Sequence, residues 1–262
     1  MQWSSRVILQ TVPHIPLVSP GDALDQLIVD ALDRAELRLA SGDLIVITSK
    51  ILSRAEGRYR DLNAVHPSPQ ARRLAAKVDK DPALVHLILE ESDSISRAST
   101  GVLIVRHRLG LVLANAGIDR SNARPLNAPP DSGPWVLLLP RDPDHSARTL
   151  RERLEQQTGL RLGVIITDSL GRPFRLGTVG TALGVAGPAA LWDRRGAVDL
   201  DGRPLKHTTV ALGDQIAAAA DMVAGQANEA RPVMLVRGLQ WSPVPDASAR
   251  DLQRPPHKDL YL

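Results

Sequence analysis

The sequence predicts an α+β fold with mixed, largely antiparallel sheets, and three observations carry that prediction. Short runs of continuous apolar residues bounded by turn signals, such as Leu44–Thr48 and residues 163–167, read as buried strands. Strands of this kind outnumber what a regular βαβ alternation would give, which disfavours a doubly wound parallel sheet. Between them lie segments with a 3.6-residue apolar stripe. The clearest spans residues 22–39, where Leu24, Leu27, Ile28, Ala31, Leu32 and Ala35 recur at i, i+3 and i+4.

Taken in order, residues 7–17 read as an entering strand broken by prolines, followed by the helix over 22–39. Ser41-Gly42-Asp43 ends that helix, and Leu44–Thr48 is a buried strand. Residues 49–57 mix hydroxyls, two cations and a carboxylate; composition alone does not exclude an ordinary solvated strand end. Ser68-Pro69 and Asp81-Pro82 each open a helix with a cap followed by proline in the first turn, the second running to Glu91. Residues 102–105 and 111–114 pair as a hairpin. Residues 135–139 form a further strand, and Asp142-Pro143-Asp144 caps a helix that runs through Gln157 and stops at Gly159. The strand over 163–167 leads into a Gly171-Arg172-Pro173 turn. Residues 178–187 are rich in glycine and alanine, so backbone or ligand is expected to approach closely there. Residues 199–202 read as a turn, 207–212 as a strand, 214–224 as an alanine-rich helix and 233–236 as the last strand. The proline-rich tail, 242–262, is expected to be irregular or wrapped on a neighbour. No repeat or linker divides the chain, so residues 1–262 are expected to form a single unit, as one domain or two interleaved lobes.

Composition narrows the function. The 262 residues include 43% apolar side chains, enough for a core without covalent staples. There is no cysteine, which removes disulfides, thiolate metal sites and a Cys nucleophile together, and is compatible with a cytoplasmic protein. The first six residues lack a signal-peptide core, and no apolar run reaches membrane-spanning length, so no membrane partner is expected. The formal charge is only +3, and seven aromatics provide no stacking platform, which argues against nucleic acid. There is no Gly-Lys-Ser/Thr phosphate loop, no Gly-x-Ser-x-Gly elbow and no His-Glu-x-x-His, and the seven histidines do not cluster as zinc ligands.

What remains is oxygen chemistry. Asp119 and Asp168 each follow a buried apolar strand closely, in loops that also carry Gly, Ser and Arg. Either aspartate alone could simply close a turn by bonding its own backbone. Two of them converging from separate loops would hold one or two Mg²⁺ or Mn²⁺ ions against a polyphosphate. Ser169 adds a hydroxyl beside Asp168. Arg172 and Arg175 are candidates for phosphate or substrate-carboxylate contacts, since a guanidinium can fork onto two oxygens; a structural salt bridge is the alternative.

Four segments together carry a resemblance: Ser53-Arg-Ala-Glu-Gly57, Ala114-Asn-Ala-Gly-Ile-Asp-Arg-Ser-Asn122, Leu139-Pro-Arg-Asp-Pro-Asp-His-Ser-Ala147 and Ile166-Thr-Asp-Ser-Leu-Gly-Arg-Pro-Phe-Arg175. In sequence and in order, over roughly residues 7–239, they resemble the coenzyme F420:L-glutamate ligase family. The resemblance implies two interleaved α+β lobes in an intertwined homodimer. It implies a GTP-dependent γ-glutamyl ligase, adding L-glutamate to the carboxylate of a deazaflavin acceptor, coenzyme F420-0, through an acyl phosphate. It also implies Mn²⁺ or Mg²⁺, as two ions, with K⁺ in addition. Carried over by position, Asp119, Asp168, Ser169 and Gln226 match metal ligands, the two aspartates being central to catalysis. Ser49, Lys50, Arg54 and Asn122 match nucleotide contacts. So do Pro16, Leu17 and Val18 near the N-terminus, and the loop bearing Ala224, Gly225, Asn228, Glu229 and Arg231. Ser169 stands where the family often has Thr, Arg54 where it often has Lys, and Gln215 where it has Glu. The rival readings are a related amide ligase or metal-dependent phosphate hydrolase with a different acceptor, and a non-catalytic nucleotide-binding protein.

Overall fold

A computed structural model describes residues 6–258 of the chain; the extreme N-terminus and the last four residues of the tail lie outside the described residues. The chain enters through β1 (Ile8–Thr11), and α1 (Leu24–Arg34) follows, burying Leu24, Ile28, Ala31 and Leu32. This helix is shorter than the apolar stripe suggests, because Glu36 takes a left-handed backbone (φ 54°). β2 (Leu44–Thr48) runs without a break into α2 (Ser49–Ala55), where composition alone left a solvated strand end open. The helix forms because its inner face, with Ile51 and Leu52, is covered by the main core, a tertiary contact that composition does not display.

β3 (Tyr59–Asp61) precedes α3 (Pro69–Val78) and α4 (Pro82–Glu90). Both helices start as expected: the Ser68 hydroxyl accepts from the Ala71 N–H, and the Asp81 carboxylate from those of Ala83 and Leu84. β4 (Ser92–Ser99), β5 (Val102–His107) and β6 (Val112–Ala114) form an antiparallel sheet. β4 escaped the sequence reading because its Ser, Asp and Arg side chains are mostly exposed and show no apolar run. β7 (Trp135–Leu137) pairs with β3, and α5 (Pro143–Thr158) ends at Gly159 in the left-handed region (φ 68°).

β8 (Gly163–Arg172) and β9 (Arg175–Ala186) form a long hairpin, joined by the two residues Pro173 and Phe174. The strand thus continues well past Thr167, the end that its apolar run suggests. A small hairpin of β10 (Trp192–Asp193) and β11 (Thr209–Val210) leads to α6 (Leu212–Ala224), and β12 (Val233–Arg237) closes the main sheet. The fold is mixed α+β with several mostly antiparallel sheets.

The main sheet has the order β1-β12-β2-β8-β9, in which β2 and β8 run parallel and the other neighbours antiparallel. Its inner strands read as continuous apolar runs because both faces are covered. Ile45 and Ile47 of β2, Val164 and Ile166 of β8, and Val233 and Leu235 of β12 face one core with α1 and α5. Leu44, Val46, Ile165, Met234 and Val236 face the opposite core with α6. A third core lies among α3, α4 and β5. Glycines in β9 let helices come close: a Cβ on Gly180 would lie 2.4 Å from the Ala217 carbonyl oxygen in α6, and one on Gly184 2.3 Å from that of Pro143 in α5. The tail folds back on its own chain. Val244 N–H donates to the Gly187 carbonyl, and the buried Asp144 carboxylate accepts from Val185 N–H, Ala249 N–H and the Ser248 hydroxyl.

Candidate active site

Because β2 and β8 are parallel neighbours, their C-terminal ends lie side by side, with Thr48 opposite Thr167. The chain leaves one end as Ser49 and Lys50 and continues along the other as Asp168 and Ser169. A crevice outside the carboxyl ends of adjacent parallel strands is a recurrent ligand position in sheets of this type. Here it opens into a cleft of about 1100 Å³.

Its second wall is the loop bearing Asp119. This loop is tied to β7 by reciprocal backbone bonds, Asp119 N–H to the Leu137 carbonyl and Leu137 N–H to that of Asp119 (2.9 and 2.8 Å). The turn that presents Asp119 needs left-handed backbone at Asn115, Ala116, Gly117 and Asn122. Ser121 then bonds back, its N–H and hydroxyl donating to Asp119 Oδ1 at 2.7 and 2.8 Å. The third wall comes from the last turn of α6 and the loop after it, with Asp221, Ala224, Gly225, Gln226, Asn228, Glu229 and Arg231. Pro16, Leu17 and Val18 close the rim.

Asp119 and Asp168 therefore face one cleft, although they are far apart in sequence and reach it from a loop and from inside a strand. Lys50 links them electrostatically. Its ammonium lies 2.7 Å from Asp119 Oδ2 and 3.1 Å from the Ser121 hydroxyl. The two carboxyls differ in their protonation. Burial would raise Asp119, but the Lys50 ammonium and the two Ser121 donors outweigh it and hold the group below the usual carboxylate range. Asp168 is pushed up to about 6, chiefly by burial and further by the neighbouring Asp119 charge, against bonds from the Ser169 N–H and Ser49 hydroxyl. Arg54 is buried, donates to the Asn122 carbonyl, and leaves its Nε without a hydrogen-bond partner.

The donor set suits a hard divalent cation. Asp119, Asp168, Ser169 and Gln226 offer only oxygen as acceptors, with no imidazole or thiolate among them. Among the described residues no three His, Asp or Glu side chains converge as a metal cage by themselves. The fit is thus to a cation that carboxylates hold in part and ligand oxygens complete, as phosphates complete many Mg²⁺ sites.

The nucleotide-contact candidates named from the sequence all line this cleft, as do the four metal-ligand candidates. Arg172 and Arg175 do not: they stand at the hairpin end, where Arg172 donates to the Gly177 carbonyl. Two further residues shape the site: the sequence places a serine beside Asp119 without giving it a role, and does not single out Asp221. Ser121 clamps Asp119, and Asp221 accepts from both Ser169 and Gln226. The signal for Asp221 was its place in the last turn of an alanine-rich helix, where a negative charge opposes the helix dipole.

A family model described as F420-0:Gamma-glutamyl ligase matches residues 13–238. A protein named coenzyme F420:L-glutamate ligase from Methanothermobacter thermautotrophicus is 44% identical over 251 residues, covering 95% of this chain and 96% of its own. The protein of the same name from Methanopyrus kandleri is also 44% identical, covering 97% of this chain and 96% of its own, and that from Methanocaldococcus jannaschii is 42% identical over 87% of each. With the match running through every wall of the cleft, the chain belongs to the F420-0:gamma-glutamyl ligase family.

Proposed function

We propose that the chain is a GTP- and divalent-metal-dependent γ-glutamyl ligase that adds L-glutamate to the carboxylate of coenzyme F420-0, in F420 biosynthesis. The relatives' shared name supplies the reaction class and L-glutamate, and the family description supplies F420-0 as the acceptor. The observation that carries the chemistry is the meeting of Asp119 and Asp168 in one cleft, with Lys50 paired to Asp119.

A free carboxylate does not form an amide readily, because oxide is a poor leaving group. In this reading the acceptor carboxylate attacks the γ-phosphorus of GTP, giving an acyl phosphate and GDP. The amine of glutamate then attacks the acyl carbon, expelling phosphate and losing one proton. Mn²⁺ or Mg²⁺ held by Asp119, Asp168, Ser169 and Gln226 would neutralise charge on the phosphates. The protein's own part is positioning. Lys50 and Arg54 offer cationic donors at the foot of the cleft, and the Arg54 Nε–H lacks an acceptor that a ligand oxygen would provide. Ser121 fixes Asp119 in a single orientation, so the carboxylate need not reorganise as charge develops. The arm of β8 and β9 exposes Phe174 (89%) and Leu176 (98%), apolar surface that suits the expected intertwined homodimer.

The test is incubation with GTP, L-glutamate, Mn²⁺ and the deazaflavin acceptor, read by mass spectrometry. The expected product is heavier by one glutamyl unit, with GDP released in step. Asp168→Asn should reduce kcat about 10²–10³-fold, by analogy with other groups that stabilise developing charge. GDP release without a mass gain would instead favour a phosphate hydrolase or a ligase with another acceptor. Full activity in the presence of a chelator would remove the metal from the reading.

A further inference from the structure

We propose that Asp221 is a positioning residue, whose carboxylate sets the orientation of Ser169 and Gln226 so that both turn an oxygen lone pair toward the cleft. The proposal rests on the metal reading of that cleft and adds to it a residue outside the ligand set. Asp221 Oδ1 accepts from the Ser169 hydroxyl at 3.1 Å and from Gln226 Nε2 at 2.7 Å. One oxygen thus ties a strand residue to a loop residue across the wall of the cleft.

The chemistry makes this bond directional. A glutamine amide has one end that only accepts and one that only donates, and an ionised carboxylate only accepts. Beside Asp221, therefore, the amide must turn its NH₂ inward, which leaves Oε1 on the other side. A hard cation takes the amide oxygen and not the nitrogen, so a free amide would present the wrong end in part of its population. The serine is held in the same way: its proton lies toward Asp221, and its lone pairs are left for another partner.

The fold takes trouble to bring Asp221 there. Gly180 stands opposite Ser169 in the β8–β9 register, and a Cβ on it would lie 2.4 Å from the Ala217 carbonyl oxygen and 2.8 Å from Asp221 Cβ. The missing side chain lets α6 settle against β9 at this level, so that a carboxylate on the helix reaches the neighbouring strand. Asp221 also opposes the helix dipole in the last turn of α6, where a structural role alone would favour a neutral or basic residue.

The experiment measures Mn²⁺ binding to the intact protein, with and without GDP, from the loss of the free-ion EPR signal. It compares wild type with Asp221→Ala, Asp221→Asn and Asp168→Asn. Outer partners of metal ligands typically control affinity 10- to 100-fold, so Asp221→Ala should weaken Mn²⁺ binding by that factor. Asp221→Asn keeps an acceptor oxygen and should lose less than tenfold. In turnover, Asp221→Ala should recover a near-normal kcat at saturating Mn²⁺, whereas Asp168→Asn should not. Binding by Asp221→Ala within twofold of wild type, while Asp168→Asn loses the ion, overturns the positioning role alone. A kcat of Asp221→Ala that saturating Mn²⁺ does not restore also overturns it, by making the carboxylate a direct participant as Asp168 is. A wild type that binds no Mn²⁺ under either condition overturns the metal reading itself.

Discussion

At the scale of single residues, the site depends on two carboxyls whose surroundings drive their protonation apart. Asp119 stays ionised because Lys50 and Ser121 more than offset its burial, while Asp168, pushed up to about 6, binds a proton just below neutrality. On the proposed metal reading, a cation entering beside Asp168 displaces that proton. Mn²⁺ affinity should therefore fall about tenfold per pH unit below 6 and level off above it, as measured by EPR or calorimetry across pH 5–8. In the metal-free protein the sign for stability is opposite. A raised folded-state pKa stabilises at low pH, and that contribution fades as pH rises from about 4, the unfolded value, through 6. Lys50→Met removes the cation that holds Asp119 down and attracts Asp168, so both carboxyls should titrate at higher pH, readable by carboxyl-region NMR.

A second ionic group, remote from the cleft, serves the fold. Glu91 accepts from the buried Arg58 at 2.6 Å, and His107 Nε2 lies 3.5 Å from the same oxygen. Burial alone would raise Glu91, but His107 and Arg58 outweigh it and hold its carboxyl below the usual range. A lowered folded-state pKa contributes stability that is complete above the unfolded value, about 4.3, and is lost as pH falls through the folded one. Glu91→Gln leaves Arg58 buried without its counter-charge and should destabilise by about 3–5 kcal/mol in urea or thermal unfolding, with little effect on metal affinity.

At the scale of elements, the parallel pair β2 and β8 decides where the site can be. The cleft lies past their shared carboxyl ends, and the helices close over it because β9 has glycines where they cross. Gly180→Ala should push α6 away from the sheet, lowering stability by about 1–3 kcal/mol and weakening Mn²⁺ binding through Asp221. A Gly184→Ala variant should destabilise comparably, through α5, while sparing metal affinity, since it is Pro143 that it displaces. Comparison of the two variants by thermal unfolding and EPR separates packing from positioning.

At the scale of the whole molecule, the two cores on either face of the main sheet hold the cleft walls at fixed spacing, and the exposed β8–β9 arm is left over. If that arm serves a homodimer, replacing Phe174 and Leu176 together by Ser should shift the sedimentation coefficient from dimer to monomer without changing the circular dichroism spectrum. No helix among the described residues is long and apolar enough to cross a membrane.

The sequence by itself determined the elements that local chemistry specifies. The strands of β2, β8 and β12 announced themselves by apolar runs, and α3, α4 and α5 by Ser68, Asp81 and Asp142 before a proline. The two aspartates stood out only as a pair, each close to a buried strand with Ser and Arg beside it, since either one alone reads as a turn former. Family motifs carried the nucleotide and metal candidates further than composition could. Tertiary structure alone decided that Ser49–Ala55 is a helix, since its stability comes from burial of Ile51 and Leu52 rather than from propensity. It alone brought Asp119 beside Lys50 and Asp221 beside Ser169, because the energy of those contacts belongs to pairs of residues that no local pattern couples. It also set Arg172 and Arg175 apart from the cleft: β8 runs on past its apolar segment, held by backbone pairing with β9 that side-chain identity does not encode.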